Sequence, residues 1–174
     1  MFSITKRQYI HAVFGILTIL FPFLIATLVH NNWIGVMGCF GALIFMYYIP
    51  VNQQHTMNYL LLAVIISTIS FPISSIMSRN EWIGILWIAL LAFIVEYIMN
   101  ANKYIGPGVF FILMINGMIT SLYNMPLEQV LLLSIFAILG TYIALLVASI
   151  ENKIYENNKF MIKNIRLRNA SLDG

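Results

Sequence analysis

Residues 10–29 read IHAVFGILTILFPFLIATLV, a run that carries no Asp, Glu, Lys or Arg. An α-helix rises about 1.5 Å per residue, so a run of this length crosses a hydrocarbon core about 30 Å thick. Lys6 and Arg7 precede the run, as basic residues precede a signal peptide, but no small-residue cleavage pattern follows it. We therefore interpret residues 10–29 as a retained transmembrane helix.

The composition of the whole chain favours lipid as its surrounding medium. Of its 174 residues 61% are hydrophobic and 9% are charged, whereas a soluble domain carries about 25% charged residues. So few charges could not cover a water-soluble fold of this size. We expect a lipid bilayer as the main partner and no nucleic-acid partner, because the net charge of +3 is better explained by membrane orientation.

Five further apolar runs of similar length follow the first one. The six predicted spans are 10–29, 33–51, 57–77, 82–99, 104–122 and 126–150. Backbone polar groups in lipid must be satisfied within a segment, and barrel strands would be shorter and alternate in polarity. The prediction is an all-α polytopic membrane protein, a bundle of six transmembrane helices with short loops that occupies residues 1–150.

The distribution of basic residues orients the bundle. If both termini are cytoplasmic, all Lys and Arg residues except Arg79 fall on the cytoplasmic side, as the positive-inside rule requires. Trp33 and Trp82 then begin their spans at the outer interface, where indole rings are favoured. The predicted location is the cell membrane, and residues 151–174 form a basic cytoplasmic tail. This tail is a frayed continuation of the sixth helix, an amphipathic helix on the lipid surface, or disordered.

Two polar side chains inside predicted spans are candidates for a substrate or proton pathway. Glu96 is the acidic residue well inside a span, and a protonatable carboxylate there suits proton coupling. The alternative is structural, because Glu96 lies near the cytoplasmic end of its span and within reach of Lys103 and lipid headgroups. The amide of Asn116 is costly in lipid, so it is expected to face protein or a cavity.

The third predicted span is rich in hydroxyl groups. Ser67 and Ser70 lie just before Pro72, which removes a backbone donor and can kink a helix. The hydroxyls either satisfy the freed carbonyl groups or line a polar pathway. His55 is a candidate pH-responsive group, and because the histidines of the chain lack a metal-ligand spacing, no metal site is predicted.

Small residues mark two places of close packing or helix breakage. Gly38 and Ala42 form a small-xxx-small pair on the second span, next to Gly41, and such a face lets helix backbones approach each other. The sequence Gly106-Pro107-Gly108 opens the fifth span. Proline in a first turn is a common helix start, and a broken helix end facing a cavity is the functional alternative.

Signatures of catalysis are missing from the sequence. It contains no nucleotide-binding loop, nucleophile elbow or zinc-protease motif, and its single cysteine, Cys39, offers no ligand cluster. We predict no catalytic residue, no cofactor and no enzymatic activity. A short internal echo links residues 32–35, NWIG, with residues 81–84, EWIG, although four-residue matches arise easily in apolar sequence.

Several of these features together resemble a known family. A basic pair precedes the first span, glycines mark the second span, the fifth span opens YIGPGVFF from residue 104, and the sixth span contains Gly140. In this order and spacing the chain resembles the membrane half of the fusaric acid resistance and aromatic acid exporter family of bacteria. The resemblance covers about residues 6–155 and includes Gly41-Ala42 and Gly106-Pro107-Gly108.

This resemblance implies a secondary exporter, or a half-size subunit of one, for aromatic or amphipathic organic acids. Members of the family typically join a six-helix membrane block to a cytoplasmic domain and often carry a second block, so the resemblance also implies at least a dimer or a partner subunit. A small organic acid would then be the transported ligand. The alternative is a membrane scaffold or assembly partner without transport activity. An intramembrane enzyme is a third hypothesis, for which the chain offers only Glu96 with His11 and His55.

Overall fold

The computed structural model describes the backbone of residues 6–48, 53–104 and 108–170, and the side chains of residues 9–48, 57–104 and 108–155. Within these ranges the chain is helical and has no β-strand, which confirms the all-α prediction. The elements are α1 (Lys6–Val29), α2 (Asn32–Ala42), α3 (Gln53–Met77), α4 (Glu81–Ala101), α5 (Phe110–Thr120) and α6 (Leu127–Ala170), with a 3₁₀ segment, Leu43–Tyr47, continuing α2.

Four of the described helices are long and apolar enough to cross a membrane. The segments are Tyr9–Val29, Met57–Met77, Glu81–Ala101 and Leu127–Tyr155. Their length and composition indicate a membrane-embedded protein. The apolar helical segments Asn32–Tyr47 and Phe110–Thr120 are shorter, and α5 with its 11 residues covers about 16 Å. Six complete crossings therefore stay a prediction.

The connection between α4 and α5 explains why α5 is shorter than its predicted span. Lys103 has a φ of 54° and Gly108 a φ of 60°, and left-handed backbone of this kind ends helical geometry. The hydroxyl of Tyr59 donates to the carbonyl of Asn102 at 3.0 Å, and the hydroxyl of Tyr47 donates to the carbonyl of Gly108. These bonds attach the connection to α3 and to the 3₁₀ segment.

The closest helix packing in the described structure is between α2 and α6. A Cβ atom at Gly41 would overlap the backbone carbonyl of Ala137, and one at Gly140 would overlap the carbonyl of Gly38. Only glycine permits backbones to approach this closely. On its other side α2 packs against α1, where the ring of Pro22 lies opposite Gly38, so α2 is enclosed between α1 and α6.

The last helix continues beyond its predicted span. α6 runs for 44 residues from Leu127 to Ala170, and its apolar part extends to Tyr155. The boundary predicted after residue 150 therefore falls inside one uninterrupted helix. As a result the residues just past that boundary are held by the bundle, with Glu151 buried and Asn152 partly buried.

The first two helix pairs repeat each other in sequence and in local structure. Residues 16–22 read ILTILFP and residues 66–72 read ISTISFP. In both segments the threonine hydroxyl donates to the carbonyl four residues earlier, at 2.7 Å. At the following helix start Asn31 accepts from the backbone N–H of Trp33, and Asn80 accepts in the same way from Trp82. The echo between residues 32–35 and 81–84 therefore belongs to a longer repeat of α1–α2 in α3–α4.

Candidate functional site

An ionisable pair joins α1 to α6 inside the apolar bundle. The Nδ1 atom of His11 lies 3.2 Å from both carboxylate oxygens of Glu151. The side chain of Glu151 is 6% exposed and that of His11 is 22% exposed. Burial of a carboxylate is costly unless it is paired and hydrogen-bonded, and His11 supplies the partner here.

Aromatic rings hold the imidazole of His11 in place. The ring of Phe45 stacks on it with a centroid separation of 4.9 Å and an interplanar angle of 21°. Tyr48 lies at a centroid separation of 5.7 Å from the same imidazole. Gly15, one turn along α1, faces the same ring: a Cβ atom at this position would lie 3.5 Å from Phe45, at ordinary contact distance. The pair is thus surrounded by rings from the 3₁₀ segment and its C-terminal end.

This arrangement can hold or release one proton. A histidine and a carboxylate that share a proton are neutral as a pair, and loss of that proton leaves one negative charge between α1 and α6. The attraction between the two helices then depends on the protonation state. The sequence offered little signal of this site, because His11 is the second residue of the first predicted span and Glu151 lies one residue beyond the predicted end of the sixth.

A second polar cluster lies between α3, α4 and α5. Ser74 donates to the side-chain oxygen of Asn116 at 2.6 Å, and the indole of Trp87 donates to Ser74 at 2.8 Å. The amide nitrogen of Asn116 donates to Ser70 at 3.0 Å and to the carbonyl of Ile112 at 2.7 Å. Asn116 faces protein and has partners for both its oxygen and its nitrogen. Asn116 thus joins α5 to α3, and the bond from Trp87 to Ser74 adds α4 to the cluster.

Two buried hydroxyl groups lack a hydrogen-bond partner within the described part of the chain. They belong to Ser67 on α3 and to Tyr104 in the connection after α4. An unpaired hydroxyl in an apolar surrounding costs about 1–3 kcal/mol. The predicted polar pathway residue Ser67 is therefore buried but separate from the hydrogen-bonded cluster around Asn116.

Glu96 occupies a different environment from the polar cluster. Its side chain is exposed and accepts a hydrogen bond from the amide of Asn100 at 3.1 Å. It lines an open groove of about 620 Å³ between α4 and α5, together with Gly108 and Phe110. The structure does not bring Glu96 together with Asn116, Ser70 or Ser67, because these side chains lie inside the bundle.

The remaining predicted positions serve packing or fall outside the described residues. Gly38, Gly41 and Ala42 are buried on α2, and Pro72 lies within α3. Gly106, Pro107 and the side chain of His55 lie outside the residues that the structure describes. Among the described residues no group of three His, Cys, Asp or Glu side chains could hold a metal ion.

Comparison of the chain with protein-family models, with curated proteins and with solved structures finds no match. The class that fold and composition define is a membrane-embedded all-α protein.

Proposed function

We propose that the chain is the membrane subunit of a proton-coupled secondary exporter for aromatic or amphipathic organic acids. The observation that carries the proposal is the buried pair of His11 and Glu151. Ionisable residues inside membrane helices are costly and commonly mark proton relays or substrate pathways. The class of substrate follows from the resemblance of residues 6–155 to aromatic acid exporters.

The proposed coupling acts through the attraction between two helices. His11 belongs to α1 and Glu151 to α6, and α6 also packs against α2 and α3. A proton that changes the net charge of the pair changes the relative stability of two helix arrangements, and a ligand that prefers one arrangement shifts the same equilibrium. Alternating exposure would take place between two copies of the helix block, as between the halves of other secondary transporters.

Transport by everted membrane vesicles tests this proposal. A pH gradient is expected to drive accumulation of 4-hydroxybenzoate in vesicles that contain the chain. Glu151→Gln and His11→Asn are expected to reduce accumulation to the level of empty vesicles, because each variant removes one of the two groups that share the proton between α1 and α6. Exchange of labelled for unlabelled substrate without a gradient is expected to persist, since it needs no net proton movement.

Glu96→Gln is the matched control, because it neutralises a carboxylate that is exposed and hydrogen-bonded to Asn100, whereas the carboxylate of Glu151 is paired with His11. The proposal expects this variant to accumulate substrate like the unchanged chain. Equal accumulation in vesicles with and without the chain would remove the transport function. Loss of accumulation in Glu96→Gln with retention in Glu151→Gln would move the coupling site to Glu96.

A second candidate function is a membrane scaffold that assembles with other membrane proteins. The hydrogen-bonded cluster of Ser70, Ser74, Trp87 and Asn116 favours it. These polar groups bind each other and hold α3, α4 and α5 together, as expected of groups with a structural role. The scaffold function predicts a partner recovered at fixed stoichiometry after crosslinking in intact membranes. It also predicts no change in thermal stability of the purified chain when aromatic acids are added.

A further inference from the structure

A groove between α4 and α5 combines aromatic rings with a carboxylate. It has a volume of about 520 Å³ and is lined at one end by Glu81, Trp82 and Tyr123. Glu81 lies in the first turn of α4, and Tyr123 follows the end of α5 at Thr120. The charged and aromatic end of the groove therefore lies where both helices meet the edge of the bundle.

The side chains at this end have the chemistry that recognises an ammonium group. The rings of Trp82 and Tyr123 are 76% and 43% exposed, so their faces are available to a ligand. Aromatic faces attract cations through their quadrupole, and quaternary ammonium ligands are recognised in this way. The carboxylate of Glu81 adds the opposite charge, and Arg79 is exposed in the preceding turn but does not line the groove.

Away from its charged end the groove is apolar, while Thr120 and Ser121, which also line it, donate their hydroxyl groups to the backbone carbonyls of Gly117 and Met118. Ile85 and Ile88 continue its wall along α4, and Gly117 lies on the α5 side. A Cβ atom at Gly117 would meet no heavy atom within 4 Å, so the missing side chain leaves open space there. Such a surface accommodates a hydrocarbon chain running along the helices from the charged end.

We propose that the groove between α4 and α5 binds an amphiphile whose ammonium head contacts Glu81, Trp82 and Tyr123 and whose chain lies against Ile85 and Ile88. The ligand is either a lipid with an ammonium headgroup or a free alkylammonium compound. This site is separate from His11 and Glu151, and the proposal stands whether or not the chain transports organic acids.

The repeated helix start of α2 provides an uncharged counterpart within the same chain. When residues 32–35 are aligned with residues 81–84, Asn32 corresponds to Glu81 and Trp33 corresponds to Trp82. Asn32 and Gly35 line a groove between α1 and α2, and that groove lacks a carboxylate among its lining residues. Trp33 does not line that groove, whereas Trp82 lines the groove between α4 and α5, so preference for an ammonium head is expected at Trp82 and not at Trp33.

Fluorescence quenching in phosphatidylglycerol nanodiscs tests the proposal. The probe is phosphatidylcholine with a nitroxide on its choline nitrogen. Trp33→Phe with Trp87→Phe leaves Trp82 as the sole tryptophan, and Trp82→Phe with Trp87→Phe leaves Trp33. At equal probe content Trp82 is expected to be quenched more strongly than Trp33, and Glu81→Gln is expected to weaken probe binding at Trp82 about twofold to fivefold.

Two further variants separate recognition from a general effect on folding. Tyr123→Leu removes one aromatic wall and is expected to weaken quenching of Trp82, whereas Tyr123→Phe keeps the ring and is expected to preserve it. Equal quenching of Trp82 and Trp33, or quenching that is insensitive to both Glu81→Gln and Tyr123→Leu, would overturn the proposal.

Competition by unlabelled compounds tests whether the hydrocarbon chain contributes to binding and whether a lipid or a free compound binds better. Dodecyltrimethylammonium is expected to relieve the quenching of Trp82 at a lower concentration than tetramethylammonium, because its chain adds contact with the apolar wall. If dodecyltrimethylammonium relieves the quenching of Trp82 at a lower concentration than short-chain phosphatidylcholine does, a free alkylammonium compound is the better ligand. If short-chain phosphatidylcholine acts at the lower concentration, a lipid is the better ligand. Equal potency of dodecyltrimethylammonium and tetramethylammonium would overturn the assignment of an amphiphile.

Discussion

Adding one methyl group at Gly41 is expected to disrupt the contact between α2 and α6. The Cβ atom of Gly41→Ala would overlap the carbonyl group of Ala137. That carbonyl is part of the α6 backbone, so it cannot rotate away as a flexible side chain would. Gly117→Ala on α5 is the matched control, because the same methyl group meets no heavy atom within 4 Å there.

The expected size follows from two opposing contributions. Replacing glycine by alanine within a helix stabilises it by about 1 kcal/mol through its helix propensity. Overpacking a well-packed core costs about 1–3 kcal/mol, and a collision with backbone belongs at the upper end of that range. Gly41→Ala is therefore expected to lower the free energy of unfolding by about 2 kcal/mol, whereas Gly117→Ala is expected to raise it by up to about 1 kcal/mol.

Unfolding in mixed micelles with increasing dodecyl sulfate measures both free energies under the same conditions. The difference between the two variants isolates the collision, because the propensity contribution is common to both. We expect this difference to be about 3 kcal/mol. Equal free energies of unfolding for Gly41→Ala and Gly117→Ala would refute the inference that glycine is required for the approach of α2 to α6.

Three further predictions concern single hydrogen bonds and orientation. Ser74→Ala removes two hydrogen bonds of the polar cluster and is expected to lower the free energy of unfolding by about 1 kcal/mol in the same assay. Ser70→Ala removes one hydrogen bond and is expected to cost about half as much. Equal costs for the two variants would contradict this prediction. Asn31→Ala and Asn80→Ala each remove a helix cap and are expected to cost about 1 kcal/mol apiece, so a large difference between them would contradict the equivalence of the two helix starts. Reporter tags at the two ends of the chain are both expected on the cytoplasmic face, and tags on opposite faces would contradict the orientation inferred from the basic residues.

Much of the secondary structure could be predicted from the sequence. The runs 10–29, 57–77 and 82–99 lie within α1, α3 and α4, because long apolar segments in lipid must satisfy their backbone groups internally and so form helices. The fifth run was a weaker guide, since α5 begins at Phe110, six residues after its predicted start. The turn with left-handed backbone at Lys103 and Gly108 was not encoded in hydropathy.

The positions of the polar side chains relative to the bundle could be predicted only in part. Asn116 was expected to face protein, and it lies buried among Ser70, Ser74 and Ile112. Glu96 lies within α4, a helix long and apolar enough to span a membrane, and its exposed side chain accepts a hydrogen bond from Asn100; its role in proton coupling stays a prediction. Both lie in runs that are apolar on every side, so the sequence contained no polar face from which the inward side of the helix could be read.

The sequence by itself determined the helical class, the membrane as surrounding medium and the repeated helix starts at Asn31 and Asn80. Only the tertiary structure decided that His11 meets Glu151, its partner 140 residues away in sequence. Hydropathy specifies how long a helix is, whereas a contact between distant helices depends on their rotation and crossing. Those are set by packing between surfaces, such as the approach of Gly41 to Ala137, which a linear pattern of apolar residues does not contain.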